Sequence, residues 1–325
     1  MRTFITFLLL VFISSCGSTT NDTSAPSIPT ALGSDQLAFD SDRNGNHEIF
    51  VMKADGSAAK QVTNDMQYEN WWPKISPDRK KILFYRAPRG KPESYADASL
   101  WLMNADGTLV TQLRAKNADG WTLQGHGEWS PDGTKIAMFG SVGSSLQIFV
   151  TDALGKNPIQ YTNRPGINTD VSWSPDGSKL LFNGCPTATC APADYEIYVM
   201  AATPLASPTR LTTNSLADYD PYFSPDGSSI AWLVNVDPTA FPFGTINLGK
   251  WAIRIANADG SNARDLINDG KINSKPAWSA DGKTIYFHRM EPPDYRFRVF
   301  RIGKDGAGLR ELTVGTAGNS EFPSN

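Results

Sequence analysis

The sequence predicts an all-β chain built from repeated hairpins, and the first observation is one turn with its two flanking strands. Ser174-Pro175-Asp176-Gly177 has the composition of a type I turn, in which Pro fixes φ at the second position and Gly closes the fourth. Trp173 precedes this turn, while Leu180 and Phe182 follow it with the period-2 spacing of a half-buried strand. The segment therefore predicts a β-hairpin.

Repetition of this hairpin is the second observation. Copies of the turn place their serines at 76, 130, 174, 224 and 279, which are 44 to 55 residues apart. Glycine and proline are spread along the chain, and no long apolar face with a helical period interrupts them. A repeat of about 40–50 residues is typical of the four-stranded blades of a β-propeller.

Each repeat also contains a third and a fourth strand. Third strands are predicted at Ile49–Met52, Leu100–Met103, Ile148–Thr151, Ile197–Met200, Ala252–Ala256 and Val299–Ile302. Fourth strands are predicted to end at Val62-Thr63, Leu113, Tyr161-Thr162, Leu211-Thr212, Leu266 and Leu312-Thr313. There are thus six copies of each of these strands against five hairpins.

The two ends of the repeat region account for the missing hairpin. The first repeat begins at Gln36–Phe39, which matches a second strand, and the chain ends in Glu321–Asn325, which resembles the start of a first strand. Residues 36–325 are therefore predicted to form a six-bladed β-propeller of four-stranded antiparallel blades. Pairing of the C-terminal strand with the N-terminal blade would close the ring and remove an exposed edge.

The N-terminal segment has the pattern of an export signal. Residues 1–15 contain one Arg and an apolar run from Phe4 to Ile13, which is too short for a stable membrane span but suits a signal peptide. Ile13-Ser14-Ser15-Cys16 resembles the bacterial lipobox, which predicts acylation of Cys16; the alternative is an ordinary cleaved signal with an unpaired cysteine. Residues 16–35 then form a lipidated flexible tether, and the protein is expected in the cell envelope, periplasmic or associated with the outer membrane.

Charge and cysteine usage restrict the partners and cofactors. The formal net charge is −3 and no Lys/Arg cluster occurs, which argues against a nucleic-acid partner. Cys185 and Cys190 flank one short loop, where they form either a disulfide or two free thiols. No metal site or other cofactor is predicted, and the protein is expected to be a monomer.

A family resemblance rests on motifs that recur along the chain as imperfect copies. Trp-Ser-Pro-Asp-Gly, then Ile-Phe-Val-Met or Ile-Tyr-Val-Met, then Ala-Asp-Gly and Leu-Thr, is similar to the WD-type repeat of the TolB family of β-propellers. The resemblance covers about residues 36–325 and is close at Ser41–Met52. TolB proper carries an α/β domain before its propeller, whereas this chain has a short tether in that place.

The predicted topology also identifies a functional face. Antiparallel order places the long insertions at Arg86–Ser99, Asn183–Tyr195 and Val234–Trp251 on the same face as the crossings between blades. Irregular loops on a rigid scaffold are where binding residues concentrate. Trp71, Trp72, Trp121 and Trp251 are expected at this face, while Trp129, Trp173 and Trp278 occupy the repeated strand position and are expected in the core.

Alignment of the repeats on their turn serines defines two rings of residues at the channel mouth. One ring contains Trp72, His126, Asp170, Asp220, Lys275 and Phe322, and the ring two residues earlier contains Asn70, Gln124, Asn168, Asp218, Asn273 and Ser320. Ten of these residues are predicted to bind a ligand: Asn70, Trp72, Gln124, His126, Asn168, Asp170, Asp218, Asp220, Asn273 and Lys275. The alternative is that they hydrate the channel and tie the strand starts.

These features favour a non-catalytic binding or scaffold protein, with an envelope protein or a glycan as its partner and a membrane contact through the lipid anchor only. No Gly-x-Ser-x-Gly nucleophile motif is present. The alternative function is a carbohydrate-active enzyme, a lyase or a hydrolase, that works at the channel mouth through His126, Asp170 and Asp220.

Overall fold

The fold consists of β-strands in repeated units of four. The computed structural model describes residues 31–187, 190–191, 194–237 and 250–325, so the predicted signal peptide and Cys16 lie outside the described residues. Twenty-four strands form two four-stranded and two eight-stranded sheets. Among the described residues, no helix has the length and apolar character needed to cross a membrane.

Each unit is an antiparallel meander in which neighbouring strands pair in order. The first strands are β4 (Tyr68–Ile75), β8 (Gln124–Trp129), β12 (Ile167–Trp173), β16 (Ala217–Phe223), β20 (Ile272–Trp278) and β24 (Ser320–Ser324). The second strands are β5 (Lys81–Pro88), β9 (Lys135–Val142), β13 (Lys179–Cys185), β17 (Ser229–Asn235), β21 (Thr284–Glu291) and β1 (Gln36–Ser41).

The third strands contain every segment that the sequence predicts for them. They are β6 (Ser99–Asn104), β10 (Ser145–Asp152), β14 (Glu196–Ala201), β18 (Trp251–Asn257), β22 (Arg296–Gly303) and β2 (Glu48–Lys53). The short outer strands are β7 (Thr111–Arg114), β11 (Ile159–Gln160), β15 (Thr209–Arg210), β19 (Arg264–Ile267), β23 (Arg310–Glu311) and β3 (Lys60–Gln61). A short 3-10 turn, η1 (Ala118–Gly120), precedes β8.

The unit at the two ends of the chain is assembled as the sequence predicts. The C-terminal strand β24 pairs antiparallel with β1, through Ala38 with Ser324 and Ser41 with Ser320, in the sheet order β24-β1-β2-β3. The eight-stranded sheets are pairs of units that touch through one parallel pairing each, Leu146 with Ile167 and Trp251 with Ile272.

Four of the fourth strands end before the Thr at which they are predicted to end. Thr63, Thr162, Thr212 and Thr313 each accept a hydrogen bond at Oγ1 from a third-strand N–H, over 2.7 to 3.1 Å. The Thr hydroxyl thus takes the place of a backbone carbonyl, and the ladder continues through a side chain after the strand itself has ended.

The repeated turn is held by its own side chains. Ser174 Oγ donates to Asp176 over 2.6 Å and accepts from the Lys179 N–H over 2.8 Å, and Gly177 closes the turn at φ 70°. The first copy carries Arg79 at the closing position, with φ 59°. The turn therefore has a structural role, as its repetition indicates.

The repeated tryptophans connect neighbouring units. Trp129, Trp173 and Trp278 are buried, which confirms their predicted place in the core. Each indole N–H donates over 3.3 Å to a first-strand carbonyl of another unit, at Lys74, Glu128 and Tyr222 respectively.

Contacts at the N-terminal end of the described chain and in one loop add to what the sequence predicts. The Leu32 N–H donates to Arg79 O over 2.9 Å and Arg79 donates to Gly33 O over 2.8 Å, so the described end of the predicted tether is bound to the body. Between β13 and β14, Cys185 and Cys190 form a disulfide.

Candidate functional site

The aligned ring position has an unusual backbone conformation in every unit. All six residues have left-handed φ angles of 47° to 56°, at Trp72, His126, Asp170, Asp220, Lys275 and Phe322. Each lies in a first strand at a shift in the pairing register. A bulge with a left-handed residue releases that side chain from the alternation of the strand, and we call these six residues the central ring.

Aromatic contacts join one side of the central ring. The Trp72 ring stacks on His126, with centroids 4.3 Å apart and planes 4° apart, and lies 4.9 Å from Phe322. Lys275 Nζ lies 4.4 Å from the centre of the Trp72 ring, within the range of a cation–π contact. Residues from four units therefore meet at one point.

Charged and polar contacts join the other side of the central ring. Lys275 Nζ lies 2.6 Å from Asp220 Oδ1, and His126 Nδ1 touches Asp170 Oδ1. The Tyr95 hydroxyl lies 2.6 Å from His126 Nε2. Burial lowers the pKa of His126 well below its usual value, with the charges of Lys275 and Lys74 acting in the same direction, so the imidazole is neutral at pH 7.

Three side chains of the central ring have the geometry of a small ligand set. One ligand atom each from His126, Asp170 and Asp220 lies within 4.8 Å of the others. A neutral imidazole with two carboxylates suits a divalent metal ion or acid–base chemistry. Lys275 already supplies a positive charge at Asp220, however, so the set is partly neutralised by the protein itself.

Five residues of the central ring, all except Trp72, form one boundary of a cavity of about 680 Å³. Residues from all three long insertions reach it, namely Tyr95, Tyr195 and Trp251. Much of the wall is apolar and includes Phe139, Leu146, Ile167, Leu233, Ile272 and Met290. The volume is that of a ligand site, and the apolar lining with a few convergent polar groups is typical of one.

Sequence relatives match parts of this chain. No protein-family model matches it. An uncharacterised protein of Agrobacterium fabrum is 26% identical over 61% of this chain and 64% of its own length. Dipeptidyl-peptidase 5 of Porphyromonas gingivalis is 29% identical over 76% of this chain and 34% of its own length. A TolB homologue of Chlorobium luteolum is 26% identical over 45% and 30%. The chain thus spans less than two thirds of these curated relatives.

Solved structures resemble a larger part of the chain. TolB from Acinetobacter baumannii superposes with a TM-score of 0.70 at 19% identity, covering 90% of this chain and 67% of that one. A putative TolB from Agrobacterium tumefaciens gives 0.65 at 20% identity, covering 86% and 89%. The fold is that of a TolB-like β-propeller. An oligogalacturonate lyase in complex with manganese also resembles it, with a TM-score of 0.54 at 12% identity over 85% of this chain and 73% of that one.

The second predicted ring of the propeller does not face the cavity. Asn70, Gln124, Asn168, Asp218 and Asn273 are buried and bond to protein groups. Asn70 accepts from Arg86 over 2.8 Å, Gln124 donates to the Ala98 carbonyl over 2.9 Å, and Asp218 accepts from the Trp232 indole over 3.0 Å. Asn168 donates to the Leu146 carbonyl and Asn273 to that of Trp251. Their hydrogen-bonding groups thus tie strand starts and loops in this structure, and contact with a ligand at these five positions stays a prediction.

The four tryptophans expected on the face that carries the long insertions differ in their exposure. Trp71, Trp72 and Trp121 are buried, so they do not offer exposed faces to a sugar. Trp71 packs against Tyr85 and Trp121 against Phe149. Trp251 is partly exposed and lines the propeller cavity, as its predicted position requires.

The propeller brings together several site residues that the alignment of repeats does not identify. Glu93 lies in the first insertion, Glu321 directly precedes the ring residue Phe322, and His288 lies on β21; all three line the cavity. The sequence signal for Glu321 is its charge, because the equivalent positions in the other repeats are Trp, Gly, Thr, Tyr and Ser.

A further pair lies in the segment that resembles the TolB family most closely. His47 Nδ1 lies 3.0 Å from Asp40 Oδ2, and both side chains are buried. Burial alone would lower the pKa of His47, but the hydrogen bond and charge of Asp40 outweigh it and raise this pKa to about 9. His47 is thus protonated at pH 7, and it places a positive charge near the carboxylates of the cavity.

Proposed function

We propose that this chain is a non-catalytic binding protein whose central cavity receives an extended segment of a partner polypeptide. The observation that carries the proposal is the cavity of about 680 Å³, bordered by five residues of the central ring and by residues of all three long insertions. Binding residues concentrate on irregular loops held by a rigid scaffold, and this cavity lies where such loops meet.

The proposal includes a six-bladed closed ring. Six meanders of four strands, the pairing of β24 with β1 and the central-ring contacts between units all support it. In a closed ring the C-terminal strand β24 follows the last blade along the chain and completes the first blade by pairing with β1. The cavity then has a continuous wall, and no inner strand leaves a free sheet edge there.

The chemistry of the wall favours a polypeptide over a glycan. Leu146, Ile167, Leu233, Ile272 and Met290 present aliphatic surface, which cannot bond the hydroxyl groups of a sugar. Side chains of a partner segment would instead replace water along that surface, at about 25 cal/mol for each Å² of apolar area removed from water.

We further propose that the protein is exported and held at the cell envelope as a monomer through acylated Cys16, with no membrane contact besides this anchor. The pattern Ile13-Ser14-Ser15-Cys16 supports the anchor, and the likeness to TolB structures is consistent with export. Fractionation of a Cys16→Ser variant tests it, because this variant should move from the membrane to the soluble fraction.

Filling the cavity tests the binding function. Ser274→Trp places an indole in the cavity wall, and we expect it to lower the affinity for peptides selected from a random library on the native protein by at least about tenfold. Ser261→Trp, in the exposed turn between β18 and β19, is the matched control and should bind like the native protein. Unchanged binding by Ser274→Trp, with native thermal unfolding, would exclude the cavity as the site.

A carbohydrate-active lyase or hydrolase is the second candidate, and the convergence of His126, Asp170 and Asp220 favours it. The manganese complex of the structurally similar oligogalacturonate lyase makes a divalent ion the first addition to test. Acidic and neutral polysaccharides are incubated with the protein, with and without Mn²⁺, and the products are assayed for new reducing ends and unsaturated sugars. Turnover that His126→Ala abolishes would replace the binding function by this one.

A further inference from the structure

Carboxyl side chains outnumber lysine and arginine side chains around the cavity. Four carboxyl side chains line it, at Glu93, Asp170, Asp220 and Glu321, and Lys275 is the one lysine or arginine among its described lining residues. Lys275 is paired with Asp220 over 2.6 Å, and Asp170 contacts His126. Within the described residues, the carboxyl groups of Glu93 and Glu321 have neither an ion pair nor a hydrogen bond.

Glu321 is the more constrained of these two carboxyls. It lies on β24, one residue before the central-ring residue Phe322, and is only 6% exposed although it lines the cavity. A buried carboxyl without a partner is costly in an apolar environment, so natural proteins pair such groups. An unpartnered carboxyl aimed into a ligand-sized cavity indicates that the partner comes with the ligand.

Glu93 reaches the same region from the first insertion. It is exposed, but its side chain lines the cavity and interacts with the charges of Asp40, His47 and Lys275. Although the residue as a whole is exposed, the protein packed around its carboxyl group desolvates that group and raises its pKa to about 7, with the charge of Asp40 adding to the effect. Burial also raises the pKa of Glu321 well above its usual value, and the charge of Glu93 adds to this shift. A negative charge on Glu93 therefore makes ionisation of Glu321 less favourable.

The surrounding wall limits the kind of cation that fits. Tyr95, Phe297 and Phe322 present aromatic rings, and the rest of the wall combines further aromatic and aliphatic side chains with the charged groups. A small divalent ion needs several ligand atoms that converge on one point, and among the described residues Glu93 and Glu321 belong to no such group, unlike His126, Asp170 and Asp220. An ammonium group accepts two carboxylates and aromatic faces as neighbours, and an apolar body attached to it fills the remaining volume.

We propose that Glu93 and Glu321 bind the protonated amine of a ligand whose apolar part occupies the rest of the cavity. This proposal rests on the proposed function and specifies its ligand as an ammonium group on an apolar segment. The ammonium is either the free N-terminus of the partner or the end of a lysine side chain.

Small probes test the proposal independently of any peptide. n-Hexylammonium and 1-hexanol have the same apolar body but differ in charge, and their affinities are measured by ligand-detected NMR at about pH 8. We expect hexylammonium to bind at least about tenfold more tightly than hexanol. Glu93→Gln/Glu321→Gln should reduce this ratio to about 1 and leave hexanol binding within about twofold. Equal affinities for the two probes in the native protein would overturn the proposal.

The control variant and the pH dependence separate charge recognition from general effects. Asp259→Asn removes one negative charge from an exposed turn outside the cavity and should leave the ratio unchanged. Between about pH 8 and pH 5 the amine stays charged while Glu93, whose pKa is raised to about 7, takes up a proton, so the ratio should fall. Asp40, Asp42, His47 and Lys275 also act electrostatically on these carboxyls. Glu93→Gln alone, on an exposed loop, should lower the ratio about threefold if the double variant does not fold.

The source of the amine is resolved by a second set of probes. Leu-Leu amide with a free N-terminus, its acetylated form and acetyl-lysine amide distinguish an N-terminal ammonium from a side-chain ammonium. Tighter binding of either charged probe than of acetylated Leu-Leu amide supports the proposal and identifies the source. Selected peptides that lose affinity with Ser274→Trp, together with no preference for charged probes, would leave the binding function intact and exclude recognition by Glu93 and Glu321.

Discussion

Replacement of Trp72 by alanine is expected to lower the free energy of unfolding by about 3–5 kcal/mol. Trp72 is 3% exposed and contacts His126, Phe322 and Lys275 from three other units. Removal of the indole leaves a hole where these units meet, because their backbones are fixed by separate sheets and close around the hole only in part. Equilibrium denaturation in guanidinium chloride measures the loss.

Trp72→Phe is the matched control for this prediction. A phenyl ring keeps one aromatic face against His126 and should retain about half of the stability that alanine loses. If Trp72→Ala changes the unfolding free energy by less than about 1 kcal/mol, the central ring does not hold the units together.

Replacement of Lys275 by methionine is the second change with a large expected effect. Lys275 pairs with Asp220 over 2.6 Å, and Asp220 is only 2% exposed. Methionine fills much of the same space but leaves a buried carboxylate without a counter-charge, at a cost of about 3–5 kcal/mol. Thermal unfolding at neutral pH provides the measurement.

A double variant separates the lost charge pair from lost packing. Lys275→Met/Asp220→Asn removes both charges, and most of the stability lost by Lys275→Met should return, because an amide costs less to bury than an unpaired carboxylate. Lys271→Met is the surface control, since Lys271 is partly exposed and lies 3.4 Å from Glu291, and it should change stability by at most about 1 kcal/mol. Equal losses in the single and double variants would contradict a role for the pair.

Much of the fold follows from local chemistry in the sequence. The Ser174–Gly177 turn determines a hairpin through its own side chains, and a short apolar run such as Ile197–Met200 determines a third strand. The exact ends of the fourth strands could not be predicted, since a Thr hydroxyl such as that of Thr212 extends the ladder without extending the strand. Pairing of β24 with β1 could be predicted because both termini carry half of one repeat.

The candidate site was predictable where repeats could be compared. Alignment on the turn serines places Trp72, His126 and Lys275 at one equivalent position, and the structure shows them in contact. The burial of Trp72 depends on packing between units, which a single repeat does not encode. Glu93 belongs to an insertion without counterparts in other repeats, so its approach to the cavity depends on tertiary structure alone.

The bulged, left-handed conformation of the central ring has a consequence for how this architecture diversifies. Asp is among the residues that tolerate this conformation, but Trp, Lys and Phe adopt it here at the same place. Since the bulge removes this residue from strand alternation, its identity is independent of the hairpin that carries it. Six positions far apart in the chain thus share one backbone conformation while differing in side chain, so a change at one position has to suit its neighbours in the central ring rather than the blade that carries it.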